Sequence, residues 1–502
     1  MLVYQVDVGV WLGEQSRREH RPVTLDSISP SILDEFADQG FHWLWLMGLW
    51  DGGDAAREIL SRRSPLLEQF QADLPDLERE DIVGSPFAVK EFRIRADLGG
   101  EDALEGLRAD LARRDLRLLL DFAPNQVTID HGWVEQSPDF FIQGSAGDIE
   151  RDGQRHGQRY FRCAQDHILA HGIDSREQPL AETAQPNFRH AGLRNAMLRE
   201  LEKVAALADG MGVRAPEDLQ PERFSACWGD RSQPRDGSSP VDRFFWAEGI
   251  ARVRTIHPRF VFLAETGPEA SSFLLDAGFD YTWSPRLPDP LLAGDATGLQ
   301  AHLLSECREE ECGEGGHKVR YLECHGGPRA AALLSREAHP GAALLTYLPP
   351  GIRLFRDGQL QGRRLPQNPY LARRSEEPLD RDGMAFYQRL LEILTRPEVD
   401  RGSCELLPLG EAWEGNFTWR QFLVLLHRGS TGERILSAVN YGPLRGQCYA
   451  DVSGLEPSGC QWTFQDLFSV DVHTRDGEDL ARRGLYLDLG PWDYNVFEVR
   501  RN

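Results

Sequence analysis

Apolar residues fall along this chain in two alternating patterns. Runs rich in Val, Leu, Phe and Trp recur at 2–12, 41–50, 116–124, 260–266, 318–325 and 351–355, with weaker ones at 211–214, 279–283 and 342–348. Several are apolar almost throughout, as strands buried on both faces must be. Helical period separates them, for example over 102–114 and 191–208, where Leu193, Met197, Leu201, Val204 and Ala208 share one face. Strand and helix in alternation predict a parallel sheet with crossover connections, and about eight strands predict closure into a (β/α)8 TIM barrel. A doubly wound open sheet is the alternative. The lack of a GxGxxG after the first strand counts against it.

The alternation breaks in two places. Residues 128–190 are polar and rich in Asp, Gln, His and Gly, which predicts an excursion after the third strand, where barrel loops carry sites. From 403 the helical period gives way to alternating runs such as "FLVLLHR", "RILSAVNY" and "CQWTFQDLF", separated by Gly, Pro and Asp. These predict an antiparallel β-sandwich. The expected organisation is a barrel over 1–127 and 191–400, an excursion over 128–190 and a sandwich over 403–502.

Composition narrows the partners. The chain has 502 residues, 41% of them hydrophobic, and 12 Trp, enough for a large core with aromatic surface left for ligand stacking. Asp and Glu total 79 against 56 Lys and Arg, a net charge of −23, which argues against nucleic acid and anionic membrane. The 8 Cys show no CxxC spacing. The nearest pair, Cys307 and Cys312, lies in the acidic, Gly-rich "ECREEECGEGG", which reads as a solvated loop before a metal knot. The amino terminus has no basic n-region, and no apolar run is long enough to cross a bilayer, so a cytoplasmic protein is expected.

Five stretches in order resemble the motifs of the α-amylase family of glycoside hydrolases. They are "GSPFAVKEFRI", "LLLDFAPNQV", "FLAET", "YLECHGGPR" and "PGIRLFRDGQLQGRR". The resemblance implies a (β/α)8 barrel, a C-terminal β-sandwich and cleavage of α-glucosidic bonds with retention. That chemistry uses one carboxylate as nucleophile, one as general acid/base and a third that grips the sugar. An oxocarbenium-like transition state needs an anion beneath the anomeric carbon, with a protonated carboxyl about 5–5.5 Å away.

Glu265, ending "FLAE", stands where the resemblance places the acid/base. The other two carboxylates are missing. Aligning Asp209-Gly210 with the family's nucleophile motif puts Arg214 at the nucleophile and Gly212 at the motif's arginine; sliding to match the arginines puts Pro216 there instead. Gly326 follows His325 where the family has the third carboxylate, and Cys324 precedes it in place of Asn. Asp121 and Asn125 are kept, Gln126 replaces a sugar-contacting histidine, and Phe87 replaces a tyrosine that stacks beneath the sugar. Among the aromatic residues near 43–50, Trp43 and Trp45 are expected to pack and Trp50 to reach the mouth of the cleft.

A cation at the nucleophile position opposes the developing positive centre, and could hold Glu265 ionised when an acid must be protonated. The bland readings stand beside these roles: Asp121 as a loop anchor, Glu265 as a structural partner of Arg214, His325 and Phe87 as lining. The expectation is a catalytically silent relative of the family that binds an α-glucan or oligosaccharide, or serves as a structural or regulatory partner, as a homo-oligomer or beside an active homologue. The alternative is a working hydrolase or transglycosylase with its nucleophile relocated to Asp218, Glu217 or Glu182. A second carboxylate about 5–9.5 Å from Glu265 across an open cleft favours that alternative. No cofactor is expected, and calcium at Asn125 is the one metal that the resemblance raises.

Overall fold

A computed structural model describes residues 1–62, 64–152, 159–163, 166–174, 176–283, 289–311 and 317–502. Eight parallel strands make the central sheet: β1 (Leu2–Asp7), β2 (Trp43–Met47), β3 (Arg117–Asp121), β4 (Gly210–Arg214), β5 (Val261–Glu265), β6 (Tyr281–Trp283), β7 (Val319–Tyr321) and β8 (Ile352–Arg356). They run in chain order around the sheet, with β1 beside both β2 and β8. A single parallel bridge, Thr282 to Lys318, joins β6 to β7 and closes a (β/α)8 barrel.

The apolar runs are explained by two cores on opposite sides of the same strands. Val3, Trp43, Trp45, Leu119, Leu263, Trp283 and Leu354 fill the barrel interior. Their neighbours Leu44, Leu46, Leu118, Leu120 and Phe262 face the surrounding helices. The interior turns polar toward the C-terminal ends of the strands, from Gln5 upward, and its uppermost layer holds the candidate site.

Two expectations about elements are corrected. The run at 342–348 lies in the helix Ala338–Tyr347. Its Ala and Leu are good helix formers, and burial around the whole helix hides the one-sided pattern that would mark it. The run at 2–12 is split at Asp7, whose Oδ1 accepts a hydrogen bond from Val10 N–H (3.3 Å) and caps the helix Val8–Glu19. A second excursion also leaves the barrel, after β2. Residues 50–94 pair Trp50–Asp51 with Glu91–Ile94, and their cluster of Leu60, Phe70, Leu74 and Ile82 packs on Leu371 from the segment after β8.

Between β3 and the helix Ala191–Leu207 the chain forms short antiparallel ladders, including Val127–Thr128 with Thr183–Ala184. Beyond the barrel, a six-stranded antiparallel sheet faces a three-stranded one across a second apolar core. The six-stranded sheet also packs on the barrel helices through Leu423, Leu425, Ile435 and Val439. Cys227, Cys448 and Cys460 are free thiols. Cys312 and the side chain of Cys307 lie outside the described residues.

Candidate functional site

At the C-terminal ends of the strands, β4 and β5 run side by side with Gly212 paired to Leu263 and Arg214 to Glu265. On its other edge β4 pairs Gly212 with Asp121 of β3. The inward positions of these three strands therefore carry Asp121, Gly212, Arg214 and Glu265. Together with Trp45, Met47, Phe87 and His325 they line one small cavity. Counted with its open side it encloses about 250 Å³, less than the roughly 300–1,000 Å³ of small-molecule pockets. Its interior admits about one water molecule.

Side chains fill the rest. The Arg214 guanidinium lies over the Phe87 ring, 4.6 Å from its centroid. On from Phe87 comes His325, with ring centroids 5.1 Å apart, then Trp283 at 5.8 Å, then Trp45 at 5.9 Å. Deeper in, the Trp45 ring presses on Gly212, where even a Cβ would collide with it. An arginine cannot occupy that inward position while Trp45 keeps its place.

The charges are arranged differently from the sequence expectation. Glu265 pairs with His325, Nε2 to Oε2 at 3.2 Å, and not with Arg214, which makes no ion pair among the described residues. Burial alone would raise the Glu265 carboxyl, but His325 first and Arg214 second outweigh it and hold the group below its ordinary value. Asp121 goes the other way. Burial, aided by the charge of Asp7, lifts it to about 7, and neither carboxyl oxygen has a hydrogen-bond partner. Burial lifts Asp7 itself to about 6.

The remaining expected residues are scattered around this cluster. Trp50 does not reach the mouth; it is buried with its ring edge-on to Phe92, and its Nε1–H donates to the Asp121 carbonyl (2.8 Å). Gln126 donates to the Ile173 carbonyl (2.9 Å), bracing the excursion. The Asn125 amide donates to the Ala215 carbonyl (2.9 Å), bracing the left-handed turn after Arg214. Calcium prefers oxygen ligands, and the Oδ1 of this amide is buried without a hydrogen-bond partner. Among the described residues no three His, Cys, Asp or Glu are grouped to hold a metal ion. Pro216 is buried and opens the turn Pro216–Leu219. Gly326 is exposed at φ +71°, a backbone that glycine adopts freely, with open space where a side chain would start. Burial raises the Cys324 thiol to about 12, so it stays protonated.

The three candidates for a relocated nucleophile are also held elsewhere. Glu217 is buried and accepts from Gly267 N–H (3.4 Å), Asp218 pairs with Arg223 (3.1 Å), and Glu182 is buried beside the Thr183–Ala184 ladder. None of them lines the cavity. Asp121 is the second carboxylate that does.

Sequence reasoning missed the other half of "ECHGGPR". Glu323 accepts from Arg329 Nη1 (2.8 Å) and from Ala330 N–H (3.0 Å), with both side chains buried. This pair staples the loop that carries His325. The signal was present as an acid and an arginine flanking two glycines, but the stretch was read for chemistry alone.

A parallel eightfold barrel with an excursion after β3, a polar layer at the strand ends and a C-terminal sandwich is the fold of the α-amylase family of glycoside hydrolases. Among solved structures, the chain is similar to a noncanonical maltogenic α-amylase from Thermotoga neapolitana, with a TM-score of 0.69 at 14% identity over 100% of this chain and 99% of that one. It is likewise similar to an α-amylase from Lactobacillus plantarum (TM-score 0.63, 16% identity, 99% and 98% covered). A debranching enzyme from Nostoc punctiforme gives a TM-score of 0.64 at 14% identity over 99% and 97% of the two chains. In sequence, an α-1,4-glucan:maltose-1-phosphate maltosyltransferase from Burkholderia pseudomallei is 26% identical over 254 residues, 50% of this chain and 18% of the relative. The match thus spans less than a fifth of that protein's length. No protein-family model matches the chain.

Proposed function

We propose that this chain is a catalytically silent relative of the α-glucan-active enzymes whose fold it shares, acting by binding and not by turnover. The observation that carries the reading is Arg214, a cation standing beside Glu265 at the strand ends where retaining glycosidase chemistry needs an anion. Three further facts support it. Glu265 is held ionised by His325 and Arg214, the wrong state for a general acid. The space left beside the stack of Arg214, Phe87 and His325 admits about one water molecule. Among the described residues no atom lies within 4 Å of where a Gly326 side chain would start, so none stands there for the carboxylate that would grip the sugar. On this reading the chain recognises an α-glucan outside the old cleft, or works as a structural or regulatory partner of an active homologue.

A second reading has one observation in its favour. Asp121 and Glu265 line the same cavity with their carboxyls shifted in opposite directions, the division of labour an acid and a nucleophile require. It makes the chain an α-glucan hydrolase or transglycosylase. Against it, Asp121 lies one inward position deeper, level with Gly212 and the Trp45 ring. Titration calorimetry with maltooligosaccharides, run beside a sensitive hydrolysis assay, separates the readings. The silent-relative reading expects heat of binding without product; turnover at ordinary enzyme rates would sink it.

A further inference from the structure

We infer that the Arg214 guanidinium at the strand ends is the seat for an oxyanion, the carboxylate or phosphate group of a small and otherwise neutral molecule. The inference rests on the non-catalytic reading above and names a ligand class for the altered site. Arg214 is the last residue of β4, and the backbone beneath it is fixed on two sides. Ala215 turns left-handed (φ 44°), its N–H donates to the Glu265 carbonyl (2.8 Å), and its own carbonyl accepts from Asn125 (2.9 Å). The side chain itself is exposed, with the Phe87 ring under the guanidinium at 4.6 Å. A guanidinium stacked by its face keeps the donors along its edge for a ligand, already oriented.

No neighbouring acid claims that edge. Among the described residues Arg214 makes no ion pair, because Asp218 is held by Arg223 (3.1 Å), Glu265 by His325 (3.2 Å), and Glu217 accepts from Gly267 N–H (3.4 Å). Asp121 keeps its proton up to about 7 and adds no charge below that pH. A second, independent observation comes from the buried side chains lining the same cavity. His325 is 7% exposed and its Nδ1 has no hydrogen-bond partner among the described residues; the Trp45 Nε1–H, 3% exposed, has none either. The indole nitrogen can only donate, and the imidazole nitrogen donates when it carries a proton. Orphaned donors beside an unpaired cation are the groups an incoming acceptor completes.

The chemistry selects the occupant. The planar fork of an arginine matches carboxylate and phosphate oxygens two at a time, whereas a neutral ligand leaves its charge unanswered and a cationic one is repelled by it. The interior admits about one water molecule, so the body of the ligand stays outside. Beside His325, Gly326 leaves open space, with no atom within 4 Å of where its Cβ would be. The net charge of −23 repels an extended polyanion, so the oxyanion belongs to a small molecule.

The test is calorimetric titration of the full chain at pH 6 with sodium phosphate and, separately, with sodium acetate at matched ionic strength. Wild type is compared with Arg214→Gln and with Arg445→Gln, a control on the C-terminal sheet where Arg445 pairs with Asp488 (2.8 Å). Circular dichroism checks that both variants are folded. The expected result is binding to wild type by at least one of the two anions, weaker by at least about tenfold (about 1.4 kcal/mol) in Arg214→Gln and within about twofold in Arg445→Gln. The tighter anion identifies the group. Binding of neither anion by wild type, or equal binding by wild type and Arg214→Gln, overturns the assignment. Release of reducing ends from maltoheptaose, followed on the same samples, reports separately on the non-catalytic reading: turnover overturns that reading, while the titrations alone decide the oxyanion seat.

Discussion

On the β7–β8–β1 side of the barrel mouth, buried carboxylates and arginines pair with one another; on the β3–β4–β5 side only Glu265 is paired, and its partner His325 comes from the loop after β7. Glu14 grips Arg374 with both oxygens (2.8 and 2.9 Å), Arg374 reaches Asp357 (2.8 Å), Asp357 accepts from the Tyr4 hydroxyl (3.0 Å), and Arg329 joins Glu323. Across the mouth, Asp121 has two unpartnered carboxyl oxygens, the Trp45 Nε1–H is likewise unpartnered, and Arg214 has only a ring beneath it. The first side holds loops in place, so its charges must find partners within the chain. Orphaned groups like those on the second are tolerated where a substrate or water would complete them. Here the orphans persist while side chains occupy the space beside them, as the proposed non-catalytic reading expects.

Breaking the paired side has the largest expected effect. Glu323→Ala leaves Arg329 buried without its carboxylate and should cost about 3–5 kcal/mol, seen as a fall in the denaturant midpoint. Glu323→Leu combined with Arg329→Met removes both charges and should recover most of that loss. On the unpaired side, Gly212→Ala forces the Trp45 ring to move and should cost roughly 1–3 kcal/mol. Adding Trp45→Leu should relieve it, which makes the two positions a coupled pair in a double-mutant cycle.

The Asp121 prediction depends on pH. The folded chain holds this proton up to about 7, whereas an ordinary aspartate gives it up near 3.8. The group's contribution to stability is therefore fully present below pH 3.8 and is lost as pH rises toward 7. Asp121→Asn keeps a neutral group at every pH. Its melting temperature should exceed that of wild type by more at pH 8 than at pH 5, and equal gains at both would place the proton elsewhere. The smallest effect belongs to Arg214→Ala, which gives up an exposed cation–π contact worth about 0.5–1 kcal/mol.

How much of this was legible in the sequence follows from the range of each interaction. The barrel strands could be read because burial on both faces writes itself locally as runs such as "LRLLLDF" and "FVFLAE". The run at 342–348 misled because an all-round buried helix, here Ala338–Tyr347, also reads as an apolar run. Glu265, His325, Phe87 and Arg214 could be singled out because the stretches that carry them resemble motifs of the α-amylase family. Their pairings could not. That His325 and not Arg214 meets Glu265, and that Trp45 fills the space above Gly212, are contacts between strands far apart in the chain. The excursion over 50–94 went unnoticed because its short strands and helices resemble ordinary connections, and its Leu371 partner lies far along the chain.

On the proposed reading Glu265 performs no catalysis. The most direct test is release of reducing ends from maltoheptaose by the purified chain and by Glu265→Gln under identical conditions. The account predicts the same background rate for both. A wild-type rate well above background that disappears in Glu265→Gln would contradict it.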